Sequence, residues 1–404
     1  MIKKIISLIL ILLISMLLTG CALRSDEDNP TLDIHENAAY EGKFYDNNNS
    51  DDEDSFLFTW MTYSEIRVTD TLKNKTAYEK YIGGLFENMK KIGVTDCFVH
   101  VRPFADAMYL SEIFPLSIYA EKADDFDPFS VIVSLGESYG VDIHAWINPY
   151  RISSKPLIED SEYYSWQEEN SADIISTASG VYFNPCSLKA QSLILSGVGE
   201  LMKNYNIKGI HIDDYFYPPD INDEDMADYE SYRKKGGSKD ISQWRRENVN
   251  SLVSAVYLKV KSYGEYKIFS VSPGGNIDKN YGQLYADVNL WCKGGYCDMI
   301  IPQIYFGFEN ETLPFKACFE RWFSITDREK VTLIPALALY KSGEEDAFAG
   351  AGKDEWLKND DVIYRQAKMI QESGCKGFAL YSSSYINFSE KFTAEQLKNL
   401  QNML

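Results

Sequence analysis

The run Gly209-Ile210-His211-Ile212-Asp213-Asp214-Tyr215-Phe216-Tyr217-Pro218 carries two adjacent acids directly after a β-branched stretch. Three rings and two prolines follow, and the prolines end any regular ladder. Carboxylates at the end of a buried strand are costly unless they are paired or used. Their use would be proton transfer, nucleophilic attack or stabilisation of developing charge. Strand alternation sets His211 and Asp213 on one face and Ile210, Ile212 and Asp214 on the other. The plainer reading is an Asp pair capping a loop after an ordinary strand.

The same alternation sorts the other strands. On 96–102 it sets Phe98, His100 and Arg102 against Cys97, Val99 and Val101. On 141–148 it sets His144, Trp146 and Asn148 against Ile143, Ala145 and Ile147. Ser270 and Ser272 share a face, as do Gln303 and Tyr305, and Tyr381 joins the polar set. If the polar faces converge, they form a cup of Arg102, Asn148, Asp213, Ser272, Gln303 and Tyr381. Asp213 is the strand-borne acid in that cup. Asp214 points away, to hold loop residues or Arg102. Arg102 has a structural reading too, as ion-pair partner of a buried Asp. Trp146 and Tyr305 are either stacking platforms for a ligand or packing. A second carboxyl for bond cleavage must come from elsewhere, with Asp106, Glu309, Glu344 and Glu345 as the candidates. His100, His144 and His211 share the inward parity, which invites a zinc reading. Their depths do not match, so satisfied interior histidines are expected, with no metal and no cofactor.

The elements that must position these residues repeat as strand, loop, helix. Strands are expected at 56–61, 96–102, 141–148, 207–213, 267–272, 298–305, 331–337 and 377–381. Helices are expected at 76–93, 128–139, 187–204, 244–263, 314–325, 359–373 and 393–402. Asp127 caps the second helix, with Pro128 at its first position. Eight β/α units predict a single α/β domain, a (β/α)8 TIM barrel over residues 55–404, with a doubly wound sheet as the alternative. The loops after strands are long, which in a barrel marks the active face. No further domain is expected after the barrel.

Before the barrel, Lys3 and Lys4 precede the apolar run Ile5–Leu18, and Leu18-Thr19-Gly20-Cys21 closes it. Residues 1–20 therefore read as a signal peptide, with cleavage before Cys21 and lipidation of that cysteine. Residues 21–54 are acidic and Asn-rich and read as a disordered tether. The net charge of −20 disfavours nucleic acid as a partner. The 28 Tyr suit stacking on sugar rings. Six cysteines remain after Cys21, and Cys292 and Cys297 are close enough for a local disulfide. Nothing in the sequence sets an oligomeric state.

The segments Trp146-Ile147-Asn148-Pro149-Tyr150-Arg151, Gly209–Pro218, Trp244–Asn250, Ser272-Pro273 and Pro302-Gln303-Ile304-Tyr305 resemble the bacterial glycoside-hydrolase-like 10 family, in order from about Phe56 to Tyr385. The resemblance implies a TIM-barrel glycosidase acting on polysaccharide, often as an envelope lipoprotein. Arg102-Pro103, Asn148, Asp213, Asp214, Tyr215, Gln303 and Tyr305 match its motif positions. The expected catalytic residues are Asp213 and Asp214. The expected sugar contacts are Arg102, Trp146, Asn148, Tyr150, Tyr215, Tyr217, Ser272, Gln303, Tyr305 and Tyr381. The expected function is an exported, lipid-anchored hydrolase of a cell-envelope or extracellular polysaccharide, such as peptidoglycan strands or an amino-sugar polymer. The membrane is contacted through the anchor alone. The alternative is a non-catalytic glycan-binding lipoprotein on a degenerate barrel.

Overall fold

A computed structural model describes residues 56–154 and 173–403. All of them fall in one compact unit, 44–404. The leader, Cys21 and the tether lie outside the described residues.

The strands are β1 (Phe56–Met61), β2 (Asp96–Arg102), β3 (Asp142–Ile147), β4 (Arg151–Ser153), β5 (Ile174–Thr177), β6 (Gly180–Phe183), β7 (Gly209–Ile212), β8 (Ile268–Val271), β9 (Met299–Ile300), β10 (Thr332–Leu333), β11 (Ala336–Leu337) and β12 (Gly377–Leu380). The main sheet is parallel, in the order β10-β9-β8-β7-β3-β2-β1-β12-β11. Its two edges, β10 and β11, are successive pieces of one run, 332–337. The Ile334 N–H donates to Ile300 O on one side, and the Ala379 N–H donates to Pro335 O on the other. The nine pieces thus close into eight staves, the (β/α)8 barrel. Pro335 lacks an N–H and splits the seventh stave in two.

Closure divides the apolar residues into two cores. Phe58, Trp60, Phe98, Trp146, Met299 and Ile301 fill the lumen. Cys97, Val99, Ile143, Ile210, Val271 and Ile300 face outward against the helices. Close strand contact makes two glycines necessary. A Cβ on Gly209 would lie 1.8 Å from Ile268 O, and one on Gly377 would lie 2.0 Å from Phe56 O.

The outer helices are α1 (Lys75–Lys91), α2 (Pro128–Tyr139), α3 (Leu188–Asn204), α4 (Met226–Lys234), α5 (Ile241–Lys261), α6 (Ile277–Gly282), α7 (Val288–Gly294), α8 (Phe315–Ile325), α9 (Glu355–Lys358), α10 (Val362–Glu372) and α11 (Lys391–Gln401). Asp127 caps α2 by accepting from the Phe129 and Ser130 N–H groups. On α5, Val249, Leu252, Val253, Val256 and Val260 form the buried face. Arg245 on the same helix forks onto Asp225, at 2.9 and 2.5 Å, with both side chains buried. This ties the helix to the long loop after β7.

The structure adds elements inside stretches expected to be loops. β4, β6 and β5 form a small antiparallel sheet after β3. Short helices α4, α6, α7 and α9 also fill loops. Cys292 and Cys297 are free thiols, as are the four others described. Among the described residues no helix is long and apolar enough to cross a membrane.

Candidate functional site

The β7 strand ends at Ile212, so Asp213 and Asp214 belong to the turn beyond it. The Phe216 N–H donates to Asp214 O, closing that turn. Asp213 is 3% exposed, and its Oδ1 accepts from the Tyr215 N–H at 3.4 Å. The Trp146 indole N–H faces it without closing a bond of regular geometry. Burial pushes the Asp213 carboxyl well above the usual range, and the charge of Asp214 adds to the push. Asp214 is half-buried, and burial raises its carboxyl as well. Its own backbone N–H, Gln303, Lys279 and Arg151 oppose that rise. The two carboxyls titrate as a pair, and Asp213 carries the stronger pressure toward the protonated form.

The rest of the mouth closes around this pair. Gln303 bridges to both Gly274 and Ala336 and donates from Nε2 to Ser272 O at 3.0 Å. A Cβ on Gly274 would sit 3.6 Å from Asp214 Oδ2, so the Gly274 backbone borders the carboxylate. Ser272 is fully buried beside the rim, and its N–H donates to Ile212 O at 2.7 Å. Tyr305 and Tyr381 lie 5.7 Å apart, centroid to centroid, and both feel the acid charge. Trp146 stacks flat on His100 at 3.5 Å. Asn148 donates from Nδ2 to Pro103 O, which leaves its buried Oδ1 beside His100 without a regular partner.

Three expected contacts lie elsewhere. The β2–β3 register shifts between His100 and Arg102, so alternation fails at the last residue of β2. Arg102 donates to Asn148 O at 3.2 Å and lies 4.6 Å over the Phe114 ring, away from Asp213. Tyr150 is fully buried with Cys186 nearby, under the small sheet. Tyr217 packs against Tyr285 at 5.2 Å, and its hydroxyl accepts from Asn248. Its ring is almost fully buried.

The three histidines have separate surroundings. His144 Nε2 is 2.9 Å from Asp96 Oδ1 at the lumen floor. Trp60 donates to His211 Nε2 at 3.1 Å, which leaves the proton on Nδ1, 2.8 Å from Ser270 Oγ. Burial holds His211 and His100 well below the usual imidazole range, so both are neutral.

The profile of the glycosyl hydrolase-like 10 family matches residues 60–349. The chain belongs to that family. A Bacillus subtilis protein named glycosyl hydrolase YngK is 30% identical over 329 residues, covering 75% of this chain and 63% of its own length. The chain thus spans less than two thirds of that relative. Glycosyl hydrolase DigH of Escherichia coli K12 is 26% identical over 360 residues, covering 81% of each chain. In structure, the PgaB glycoside hydrolase domain from Bordetella bronchiseptica aligns with TM-score 0.59 at 12% identity, over 85% of this chain and 98% of that one. That likeness is one of fold. The family and both relatives carry glycosyl hydrolase names.

Asp214 is the carboxyl nearest in sequence to Asp213 and the one whose charge acts on it. Glu309, Glu344 and Glu345 are exposed, and Glu345 pairs with Lys353 at 3.2 Å. Asp106 is buried, but its partners are Ser117, the Phe104 N–H and Arg102. None of the four is among the main influences on Asp213, which are burial, Asp214, the Tyr215 N–H, Trp146 and Arg151. Sequence reasoning also missed Arg151, Lys279 and Glu65. The Arg151 guanidinium lies between the rings of Phe104, at 5.1 Å, and Tyr215, at 4.6 Å. Glu65 Oε1 accepts from Ser382 Oγ, Ser383 Oγ and the Ser384 N–H, and its Oε2 accepts from the Thr62 N–H. This fastens the loop after β12 to the loop after β1. Arg151 ends the resemblance motif, which was the one signal available for it.

Proposed function

We propose that this protein is an exported hydrolase, lipid-anchored at Cys21, that cleaves an amino-sugar polysaccharide of the envelope or the extracellular space. The observation that carries the reading is the adjacent pair Asp213 and Asp214 just beyond the end of β7, one buried and one half-buried, with the other candidate acids exposed or held by other partners. Two carboxyls from adjacent residues approach a sugar from one side. Direct retaining and inverting mechanisms need them on opposite sides of the scissile bond. Attack by the substrate's own N-acetyl oxygen removes that need.

In this mechanism Asp213, kept protonated by burial, donates its proton to the leaving glycosidic oxygen. The acetamido oxygen attacks the anomeric carbon as the C–O bond breaks, giving an oxazolinium ion. Asp214, ionised beside Gln303, Lys279 and Arg151, holds the acetamido N–H and balances its positive charge. Asp213, now a carboxylate, takes a proton from water as that water opens the oxazolinium. The acetamide is restored and the anomeric configuration retained.

The test pairs wild type with Asp213→Asn on purified peptidoglycan glycan strands and on N-acetylglucosamine polymers, with products read by mass spectrometry and anomer by NMR. Retained configuration is expected, with no cleavage of de-N-acetylated polymer. Cleavage of the de-N-acetylated polymer at the normal rate refutes substrate assistance. Binding of these glycans without turnover would make the barrel a glycan-binding lipoprotein instead.

A further inference from the structure

One rung of the lumen runs beneath Asp213 across four neighbouring staves. Backbone register sets His100 of β2 beside Trp146 of β3, Trp146 beside His211 of β7, and His211 beside Ser270 of β8. Asp213 follows His211 by two residues, just past the strand end. In this rung Trp60 and Ser270 hold His211 by hydrogen bonds. Trp146 is held by its ring face. It lies on His100 with 3.5 Å between centroids and 10° between planes, and meets His211 edge-on at 6.2 Å. Asn148 backs His100: its Nδ2 is committed to Pro103 O at 2.8 Å, so its Oδ1 is the atom turned to the imidazole.

Two buried groups here each lack what the other supplies. Trp146 is 4% exposed, and its buried indole N–H closes no hydrogen bond of regular geometry. Asp213 is as deeply buried, and the bond it accepts from the Tyr215 N–H is long, at 3.4 Å. An unmatched donor and an unmatched carboxyl are both costly away from water. The carboxyl that the indole N–H faces is that of Asp213. We propose that Trp146 is a positioning residue for Asp213, with the stack on His100 holding the indole N–H on the carboxyl. The N–H fixes the direction of the carboxyl while its proton leaves, and steadies the carboxylate until a proton returns from water. It favours the ionised form, against burial and the Asp214 charge. The other titratable or charged groups facing Asp213 are Asp214 and Tyr215 on its own turn, Arg151 on β4, Tyr305 beyond β9 and Tyr381 beyond β12. This inference rests on the acid role given to Asp213 above, but its first test needs no substrate.

The protein is labelled with fluorotryptophan at its seven Trp positions and followed by fluorine NMR between pH 4 and pH 9. Trp146→Phe, or Trp146→Tyr where that variant does not fold, identifies the Trp146 resonance by its loss. The resonance should move with pH through an inflection that Asp213→Asn abolishes and His100→Leu weakens. A resonance that does not titrate, or that titrates unchanged in Asp213→Asn, overturns the inference. An unchanged inflection in His100→Leu overturns it too, because the stack then holds nothing. On N-acetylglucosamine hexamer, Trp146→Phe should lower kcat at least about 10-fold with KM nearly unchanged, the worth of one hydrogen bond to a charged group. The alkaline limb of its turnover–pH profile should move to higher pH. A loss of kcat with the limb in place marks packing alone and refutes the positioning role. A Trp146 resonance that follows Asp213 in a wild-type protein that cleaves no glycan would instead sink the hydrolase reading and leave the contact between indole and carboxyl standing.

Discussion

Replacing Asp214 with Asn tests the coupled pair most directly. The change keeps the shape of the side chain and removes its charge. The Asp213 carboxyl is raised first by burial and second by that charge. Neighbouring like charges in a partly buried site repel by on the order of a few kcal/mol at an effective dielectric of about 20. Losing this repulsion lowers the Asp213 carboxyl toward its usual range, while the burial contribution remains. Asp213 must be protonated to act as the acid. The alkaline limb of the turnover–pH profile should therefore move to lower pH in Asp214→Asn. Turnover at the optimum should also fall at least about 100-fold, because the amide cannot balance the oxazolinium charge. The assay is reducing-end release from N-acetylglucosamine hexamer between pH 4 and pH 9. An alkaline limb that stays in place, or moves up, refutes the coupling.

The partner variant Asp213→Asn reads the same physics through stability. A carboxyl whose folded pKa lies above its unfolded value stabilises the fold fully only below the unfolded value. That contribution is lost as pH rises through the folded value. At neutral pH the native Asp213 is thus a burden, which the neutral amide lifts. The gain should be about 1–3 kcal/mol, the usual cost of an ill-satisfied buried polar group. With about 2.1 cal/mol/K of unfolding entropy per residue, that is roughly 1–4 °C in Tm for a domain of this size. The gain should fade below about pH 4, where the acid is protonated in both states. Turnover should drop at least about 100-fold. Near-normal turnover in Asp213→Asn removes Asp213 as the catalytic acid.

Three further outcomes are expected. Cys21→Ala should release the protein from the membrane fraction or leave an unprocessed precursor, and a normally processed, membrane-bound variant refutes the lipid anchor. Arg245→Met strands the fully buried Asp225 without its fork and should cost about 3–5 kcal/mol in denaturant unfolding; a loss below about 1 kcal/mol would show that Asp225 finds other partners. Gly209→Ala places a methyl within 1.8 Å of Ile268 O and should cost about 3 kcal/mol, read by thermal melting. An unchanged Tm there would mean that β7 and β8 can part more easily than the register implies.

The barrel was legible because its staves obey one rule. Alternation placed Phe98 and Trp146 in the lumen and Cys97, Val99 and Ile143 outside, and the two cores separate along that line. The cap Asp127 and the start of α2 followed from local chemistry alone. The small sheet β4–β6–β5 was not legible. Its strands are three or four residues long, and Gly180 pairs in a φ of +142° that no propensity pattern announces. Arg102 shows a subtler failure. Its parity followed from the residues before it, but the register shift after His100 turns the side chain onto Phe114. Such a shift depends on how β3 pairs beside it, which β2 alone does not encode.

Asp214 exposes the limit of the rule where it matters most. Alternation holds only while a strand remains paired, and β7 stops pairing at Ile212. The same rule that set Asp213 toward the lumen set Asp214 away from it. Beyond Ile212 the turn decides, and it brings Asp214 to Gln303, Lys279 and Arg151. Those three residues lie just beyond β9, on α6 and on β4, so only tertiary structure brings them together. Chemistry in a barrel gathers at this boundary for a physical reason. Within the staves every backbone group is committed and side chains pack, as His211 does between Trp60 and Ser270. One residue further on, the backbone is free to turn, and a pair of carboxyls can be held close, half-dried and mutually repelling. Their strain is tolerated because Arg151 and Lys279 offset the charge, and burial first, then the charge of Asp214, favours the protonated form of Asp213.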